Sequence, residues 1–224
     1  MLDPAHVWAI VPVKLLPLAK SRLAPAMSSE ERASLCLAML RHVLDQLLTA
    51  RNVGRWAVVS PDTRVLGLAT RRGGVGIRDS GRGLNDALRQ GLAEVASRGA
   101  MAVLMLPADL PLLRSEELDA LVALAEESPC MIIAPAARDG GTNALLVRPP
   151  EAMTPCFGQD SFESHCRQAR ERGIPIHRFE APGLALDLDT PETLASIGAL
   201  TNGHYRVNSP WQKRRAYGEV ARRR

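Results

Sequence analysis

The 224-residue sequence is poor in cysteine, aromatic residues and lysine, and what it lacks excludes several classes of protein. Its four cysteines occur singly with no C-x-x-C pair, which argues against a zinc finger, an iron–sulfur cluster or a disulfide framework. No apolar run approaches the ~20 residues needed to cross a bilayer. The composition is also unlike that of collagen, a coiled coil or a low-complexity chain. We therefore expect a globular protein with no membrane partner.

The first twelve residues have no Lys or Arg before their apolar stretch and no small-residue cleavage site. Both features are needed in a secretion signal, so this stretch predicts a first β-strand instead. We expect the protein to be cytoplasmic.

Positive charge is concentrated near the carboxyl end. Residues 202–224 contain seven of the 28 Lys and Arg residues but only one of the 24 Asp and Glu residues, so residues 1–201 carry a net charge of −2. That part of the chain lacks the basic surface typical of nucleic-acid binding. We predict one folded domain over 1–201, a disordered basic tail over 202–224 and no nucleic-acid partner. A tail that contacts RNA or lipid is the alternative.

Short β-branched apolar segments alternate along the chain with segments of helical periodicity. This alternation predicts a three-layer α/β/α sandwich with a mostly parallel mixed sheet, in which ligands bind beyond the carboxyl ends of the strands. The predicted strands cover 7–13, 55–60, 75–79, 101–106, 130–134, 143–147 and 176–179. Helices are predicted from 28 onward and over 66–72, 84–98, 115–127, 160–172 and 190–200.

Three cations follow the first predicted strand, in the loop 14–27. They are Lys14, directly after Val13, then Lys20 and Arg22, and the whole chain has only three lysines. Lysine supplies a mobile point charge and arginine a planar fork, which together suit a triphosphate. The spacing matches neither a Walker A loop nor a dinucleotide fingerprint. The alternative is a solvated basic loop.

Three aspartates follow predicted strand ends. Asp109 comes shortly after the apolar strand 101–106, while Asp187 and Asp189 are two residues apart and would face one side of an extended chain. Carboxylate oxygens are the ligands that Mg²⁺ prefers, so the trio predicts a magnesium site. Turn or helix-cap aspartates are the alternative.

Small polar residues in three further loops suggest binding positions. Thr142 follows a glycine pair, Gly158 lies in a turn, and Ser161 opens a predicted helix, where free N–H groups bind anions. A turn and a helix cap are the alternative interpretation. Asn85 is either a helix cap or a reader of a base or ribose, and Ser60 is the other candidate reader of the base.

The five histidines are dispersed, with no Ser-His-Asp or H-E-x-x-H arrangement. His165 alone attracts interest, because it lies one helical turn after Ser161 and could reach the same pocket.

An ordered series of segments spanning about 7–200 resembles the guanylyltransferases of deazaflavin coenzyme F-420 biosynthesis. The segments are AIVPVK, AKSRLAP, VVSPD, GLNDAL, LPADLPLL, GGTNALLVRPP, FGQDSF and GLALDLDTPE. These enzymes use GTP to activate phosphoenolpyruvate, 2-phospho-L-lactate or 3-phosphoglycerate, and the sequence does not choose among the three. The L-A-G-G opening of the related molybdenum-cofactor enzymes is replaced here by Val11–Lys14.

The resemblance implies a fold like that of the nucleotide-diphospho-sugar transferases, with Mg²⁺ as cofactor and GTP and a phosphorylated acid as partners. It assigns the metal to Asp109, Asp187 and Asp189, and the acceptor to Thr142, Gly158 and Ser161. It assigns the triphosphate to Lys14, Lys20 and Arg22. We therefore predict that the catalytic residues are Lys14, Lys20, Arg22 and Asp109. The predicted nucleotide-binding residues are Val13, Lys14, Lys20, Arg22, Ser60 and Asn85.

Two alternatives to this function remain at this stage. One is a nucleotidyltransferase acting on a sugar phosphate or a cofactor, which would differ in the pocket around Thr142 and Ser161. The other is a non-catalytic nucleotide- or RNA-binding protein whose active part is the basic tail. The oligomeric state is left open, with a homodimer as one alternative.

Overall fold

The computed structural model describes residues 2–137 and 140–194, which contain seven strands in one sheet. The strands are β1 (Val7–Pro12), β2 (Arg55–Ser60), β3 (Val75–Arg78), β4 (Ala102–Met105), β5 (Cys130–Pro135), β6 (Thr142–Arg148) and β7 (Ile176–Arg178). The helices are α1 (Ser29–Thr49), α2 (Thr63–Arg71), α3 (Leu84–Ser97), α4 (Ser115–Ala123), α5 (Ser161–Glu171) and α6 (Pro182–Ala185).

The strand order in the sheet is β3-β2-β1-β4-β6-β5-β7. β6 runs antiparallel to both of its neighbours, β4 and β5, while the other strand pairs are parallel. The prediction of a mostly parallel mixed sheet is therefore confirmed.

Side chains of the central strand β1 alternate between the two faces of the sheet. Val7, Ala9 and Val11 pack in one apolar cluster with α1, α2 and α4, whereas Trp8 and Ile10 pack in a second cluster with α3 and α5. Because both faces are covered by helices, the three-layer prediction is also confirmed.

One predicted helix start is confirmed by its cap, and two other helix ends differ from the predictions. The predicted capping box at the start of α1 is present, since the Ser28 hydroxyl accepts from the Glu31 N–H and the Glu31 carboxylate accepts from the Ser28 N–H. Helix α2 begins at Thr63, three residues before the predicted start, because the Asp62 carboxylate caps it. Helix α4 ends at Ala123, four residues before the predicted end.

The loop after β1 contains two short 3-10 turns, Leu16–Leu18 and Ser21–Leu23, which the sequence did not predict. The four-residue helix α6 was missed as well. The last predicted helix begins at Pro191, and its remainder, like the basic tail, lies outside the described residues. The domain boundary at 201 therefore stays a prediction.

All four cysteines are free, and Cys36, Cys130 and Cys166 are buried in the core. Within the described ranges, no helix combines the length and the apolar character required to span a membrane.

Candidate active site

The three predicted metal ligands meet at the carboxyl edge of the parallel strands. The Leu188 N–H donates to the backbone carbonyl of Asp109 at 3.0 Å, and the Leu188 side chain is buried in the core. Asp187 and Asp189 flank this anchored residue, and one carboxylate oxygen from each of the three aspartates lies within 4.8 Å of the others. The structure thus brings the predicted trio together.

This cluster has the electrostatic character of a cation site. The Oδ1 atom of Asp109 is buried and has no hydrogen-bond partner among the described residues. Burial, followed by the charges of Asp109 and Asp189, raises the pKa of Asp187 above its ordinary value. A bound cation would provide a partner for the Asp109 oxygen and would reduce the repulsion among the three carboxylates. A donor set made only of oxygen atoms fits Mg²⁺.

Lys20 lies against the same carboxylates. Its Nζ forms ion pairs with Asp109 and with Asp189, the latter at 2.5 Å. Burial alone would lower its pKa, but the two carboxylates outweigh it and raise the pKa of Lys20 to about 12. Lys20 is a non-glycine residue in the left-handed region, with φ 54°, a conformation that costs of order 1 kcal/mol and is found where function requires it. The exposed Arg22 reaches Asp189 at 3.9 Å.

The loop that carries Lys20 is held at several points that sequence reasoning missed. Arg32 on α1 donates to the backbone carbonyls of Ala19, at 3.3 Å, and Met27, at 2.9 Å. The buried Asp62 carboxylate accepts from the Leu16 N–H at 3.3 Å. These bonds fix both sides of Lys20, and only the helix-start position of Asp62 offered a sequence pattern for finding them.

The other residues predicted to bind nucleotide are placed differently. Lys14 is exposed at the end of β1 and forms no ion pair within the described part of the chain, while the Val13 N–H donates to the Val59 carbonyl at 2.9 Å. Ser60 is fully buried, and its hydroxyl accepts from the Asp62 N–H at 3.1 Å. In this structure Ser60 stabilises a turn and presents no side-chain atom to a base.

The segment that carries Asp187 and Asp189 is held by two further residues that were not predicted as ligands. Asn143 on β6 donates to the Leu184 carbonyl at 2.9 Å, and Glu117 on α4 accepts from the Gly183 N–H at 2.8 Å. A side chain at Gly183 would meet the Leu112 carbonyl oxygen at 2.5 Å, so the close approach requires glycine.

The predicted acceptor residues form a second cluster at the same edge. Because β6 is antiparallel to β4, with Met105 opposite Leu145, the start of β6 lies beside the carboxyl end of β4. The Ser161 hydroxyl donates to the Thr142 hydroxyl oxygen at 3.2 Å, and both residues are buried. The Ser161 N–H donates to the carbonyl of Gly158, which has φ 140°.

The first two N–H groups of α5 do not provide the anion site that was predicted there. The Ser161 and Phe162 N–H groups are not free, because they donate to the carbonyls of Gly158 and Gly140. The hydroxyl groups of Thr142 and Ser161, rather than these two amides, are the donors that the cluster offers.

Asn85 connects this cluster to α3. Its amide nitrogen donates to the Phe157 carbonyl at 2.9 Å, and its amide oxygen accepts from the Phe157 N–H at 2.7 Å. Asn85 is not the helix cap, since Gly83 occupies that position. Its role as a reader of the nucleotide stays a prediction.

Solved structures of nucleotide-transferring enzymes share this fold. A protein from Desulfovibrio desulfuricans G20 described as a nucleotide-diphospho-sugar transferase aligns with a TM-score of 0.70 at 16% identity, over 92% of this chain and 91% of the other. A cytidylyltransferase from Leptospira borgpetersenii aligns with a TM-score of 0.58 at 12% identity, over 88% of this chain and 87% of the other. These likenesses show the fold, in which the carboxylate cluster and Lys20 lie at the strand ends.

A family model described as "Guanylyl transferase CofC like" matches residues 7–209. The chain belongs to this family, and it is an enzyme. The resemblance of the ordered sequence segments is thereby confirmed, which disfavours the non-catalytic alternative.

Relatives of this chain differ in the acceptor that their names specify. A phosphoenolpyruvate guanylyltransferase from Sphaerobacter thermophilus is 46% identical over 84% of this chain and 91% of its own. A 3-phospho-D-glycerate guanylyltransferase from Phenylobacterium zucineum is 44% identical over 80% and 84%. A 2-phospho-L-lactate guanylyltransferase from Methanothermobacter thermautotrophicus is 38% identical over 84% and 82%.

Proposed function

We propose that this protein transfers GMP from GTP to the phosphate of a small phosphorylated three-carbon acid and releases pyrophosphate, as a step in coenzyme F-420 biosynthesis. The observation that carries the proposal is the convergence of Asp109, Asp187 and Asp189 with Lys20 at the carboxyl edge of the sheet. The names of the relatives supply the nucleotide and the class of acceptor.

On the nucleotide side, the chain provides positive charge for a triphosphate. Lys20 is cationic at every working pH, because its pKa is raised to about 12. Arg22 has a largely exposed guanidinium near Asp189, and Lys14 is exposed at the end of β1. We assign these three side chains to the triphosphate, where they stabilise the charge that develops on the departing pyrophosphate.

On the acceptor side, we assign Thr142, Gly158 and Ser161 to the phosphorylated acid. An oxygen of the acceptor phosphate forms a bond to the α-phosphorus of GTP, and the bond from that phosphorus to the α,β-bridging oxygen breaks. A phosphate monoester is already a dianion near pH 7, since its second pKa is about 6. The reaction therefore needs no general base from the protein.

The three aspartates would hold Mg²⁺, and their orphaned oxygen and mutual repulsion fit that role. When bound, the ion would neutralise charge on phosphate oxygens and orient them. Without a cation, the carboxylates would repel both substrates, and Lys20 compensates for only part of their charge.

The deciding experiment measures pyrophosphate release with GTP and Mg²⁺ in three parallel reactions. Each reaction contains one acceptor: phosphoenolpyruvate, 2-phospho-L-lactate or 3-phosphoglycerate. We expect release to depend on an acceptor, and ³¹P NMR of the product to show two coupled phosphorus atoms joined through oxygen.

Two controls define what the result means. ATP and CTP in place of GTP test the choice of base, and a sugar phosphate in place of the acid tests the remaining nucleotidyltransferase alternative. Absence of pyrophosphate release with all three acids, in a protein shown to be folded, would contradict the proposed function.

A further inference from the structure

A fully buried histidine lies beneath the acceptor cluster and has no part in the mechanism above. His165 on α5 is 0% exposed, and both of its ring nitrogens are within hydrogen-bond distance of other groups. Nε2 is 3.1 Å from the backbone nitrogen of Cys156, and Nδ1 is 3.2 Å from the hydroxyl oxygen of Thr142. The ring therefore bridges the loop before α5 and the first residue of β6.

The contact at Nε2 fixes the tautomer of the ring. A backbone N–H can only donate, so Nε2 must accept from Cys156 and carries no proton. Burial lowers the pKa of His165 to about 4, against a smaller opposing effect of its hydrogen bond with the Ser161 backbone, so the ring is neutral at pH 7. The single ring proton is then on Nδ1.

The tautomer determines what the two neighbouring hydroxyl groups can do. Thr142 and Ser161 have two hydroxyl protons between them, and one of these is used in the 3.2 Å bond that joins their oxygens. The other proton cannot be accepted by Nδ1, because that nitrogen is itself protonated. Apart from the contact with Nδ1, neither hydroxyl forms another hydrogen bond in the described part of the chain, so the pair has one O–H left for a bound anion.

The same ring also fixes the loop that contains Gly158. Phe157 packs edge-on against His165, with 4.9 Å between the ring centroids. The backbone N–H and carbonyl of Phe157 both form hydrogen bonds with the Asn85 side chain. Gly158 follows directly, and its carbonyl accepts from Ser161. His165 thus contacts Thr142 and the Ser161 backbone directly, and it contacts Phe157, which precedes Gly158.

We propose that His165 is a positioning residue for the acceptor: its Nδ1–H tautomer keeps the Thr142–Ser161 hydroxyl pair as a donor to the acceptor's phosphate or carboxylate. The proposal rests on the proposed function, in which that pair binds the phosphorylated acid. The opposite tautomer would accept the free hydroxyl proton and would leave the pair without a donor for the ligand.

The first test compares two substitutions at one position. His165→Phe keeps a ring of similar size but removes both polar atoms, whereas His165→Asn places an amide N–H near the position of Nδ1. The Nδ1–H donates to the Thr142 oxygen and so directs the remaining hydroxyl proton of the pair away from the ring, toward the ligand. His165→Phe removes this donor, so we expect it to raise KM for the acceptor about tenfold or more, which is the effect of losing one hydrogen bond to a charged group. KM for GTP should stay within about twofold, and His165→Asn should restore most of the acceptor affinity.

A purely structural role would give a different pattern. Equal increases in both KM values, or a phenylalanine variant with an unchanged acceptor KM, would overturn the proposal. If His165→Phe does not fold, the asparagine variant is judged alone: it should bind the acceptor within about threefold of the wild type, and a loss comparable to that of Thr142→Val counts against the proposal.

A second measurement needs no variant. Long-range ¹H–¹⁵N correlation spectra of the ¹⁵N-histidine-labelled protein at pH 7 report which ring nitrogen carries the proton, and a proton on Nε2 of His165 would overturn the proposal. The wild-type reaction separates the two hypotheses. Acceptor-dependent pyrophosphate release by the wild type supports the proposed function whatever the His165 variants do, and its absence contradicts that function independently of the tautomer.

Discussion

The two carboxylate oxygens of Asp109 lie in different surroundings. Its Oδ2 atom pairs with Lys20, while its buried Oδ1 atom has no partner among the described residues. Leaving a buried polar atom unsatisfied costs about 1–3 kcal/mol, which a protein tolerates where a ligand completes the site. Asp109 lies four residues after the buried strand β4, at the carboxyl edge of the sheet.

Replacement of Asp109 by Asn should abolish most of the activity without unfolding the protein. The amide keeps the size of the side chain but removes the charge that attracts a divalent cation and pairs with Lys20. We expect pyrophosphate release to fall about 100-fold or more, measured at saturating GTP and Mg²⁺. The matched control is Asp45→Asn, which removes the charge of an exposed aspartate on α1. Equal rates for the Asp109 variant and the wild type would contradict the metal assignment.

The candidate metal ligands could be predicted from the sequence, whereas the residues that hold their loops in place could not. Asp187 and Asp189 could be predicted because alternate residues of an extended chain share one side. Arg32 and Asn143 could not, because each bonds to a backbone carbonyl, 13 and 41 residues away respectively. A backbone partner leaves no side-chain pattern in the sequence.

The segment from α6 to Asp189 places two of the three aspartates of the carboxylate cluster. Its backbone is anchored at Gly183 by Glu117 on α4, at Leu184 by Asn143 on β6, and at Leu188 by the Asp109 carbonyl. Each anchor comes from a different layer or strand of the domain. The two aspartates are therefore positioned by tertiary contacts rather than by local structure.

Gly183→Ala should disturb the metal cluster from a distance. The added methyl group would lie 2.5 Å from the Leu112 carbonyl and closer still to the Glu117 carboxylate, so the segment must move. We expect weaker Mg²⁺ binding by isothermal titration calorimetry and a melting temperature lower by several degrees.

The matched control for this substitution is Gly67→Ala in α2. There the nearest neighbour of an added methyl group is the flexible end of Arg71, 3.1 Å away, and alanine favours the helix. The control should bind Mg²⁺ like the wild type. Undiminished Mg²⁺ binding by Gly183→Ala would show that the anchors do not position the aspartates.

All seven strands of the sheet were predicted, whereas the shortest helical elements were not. The strands β1, β2 and β4 are buried apolar runs, which the sequence shows directly. Helix α1 has both a helical apolar pattern and a complete capping box, so its start could be predicted. The four residues of α6 are too few to show a helical period, and Pro61-Asp62 was interpreted as the end of a strand rather than the start of a helix. Caps and tertiary anchors decide these boundaries.

In the whole molecule, the direction of β6 determines which side chains lie beside the carboxylate cluster. β6 runs antiparallel to β4 and so brings Thr142 to the edge where Asp109 lies. An apolar strand buried on both faces has the same pattern in either direction, so the sequence predicted the strand but not its orientation. Because of this topology, the carboxylate cluster and the Thr142–Ser161 pair lie at the same edge of the sheet.

The clustered carboxylates of the candidate metal site lower the stability of the metal-free protein. Burial, Asp109 and Asp189 together raise the pKa of Asp187 in the folded state. The unfolded chain therefore ionises more readily at this position, and the fold loses stability as the pH rises from the ordinary aspartate pKa of 3.8 through the raised value. The penalty is fully present above the raised pKa and absent below 3.8.

Asp187→Asn should consequently stabilise the protein while it inactivates the enzyme. In EDTA at pH 7, we expect a melting temperature about 2–4 °C above that of the wild type, which corresponds to about 1 kcal/mol in a domain of this size. The difference should shrink as the pH falls toward 3.8, because the wild-type carboxyl then takes up its proton in the folded state. In saturating Mg²⁺ the order should reverse, because ligand binding stabilises only the protein that binds it well. A variant that melts below the wild type in EDTA at pH 7 would show that Lys20 already neutralises the cluster, and that no cation is needed to relieve it.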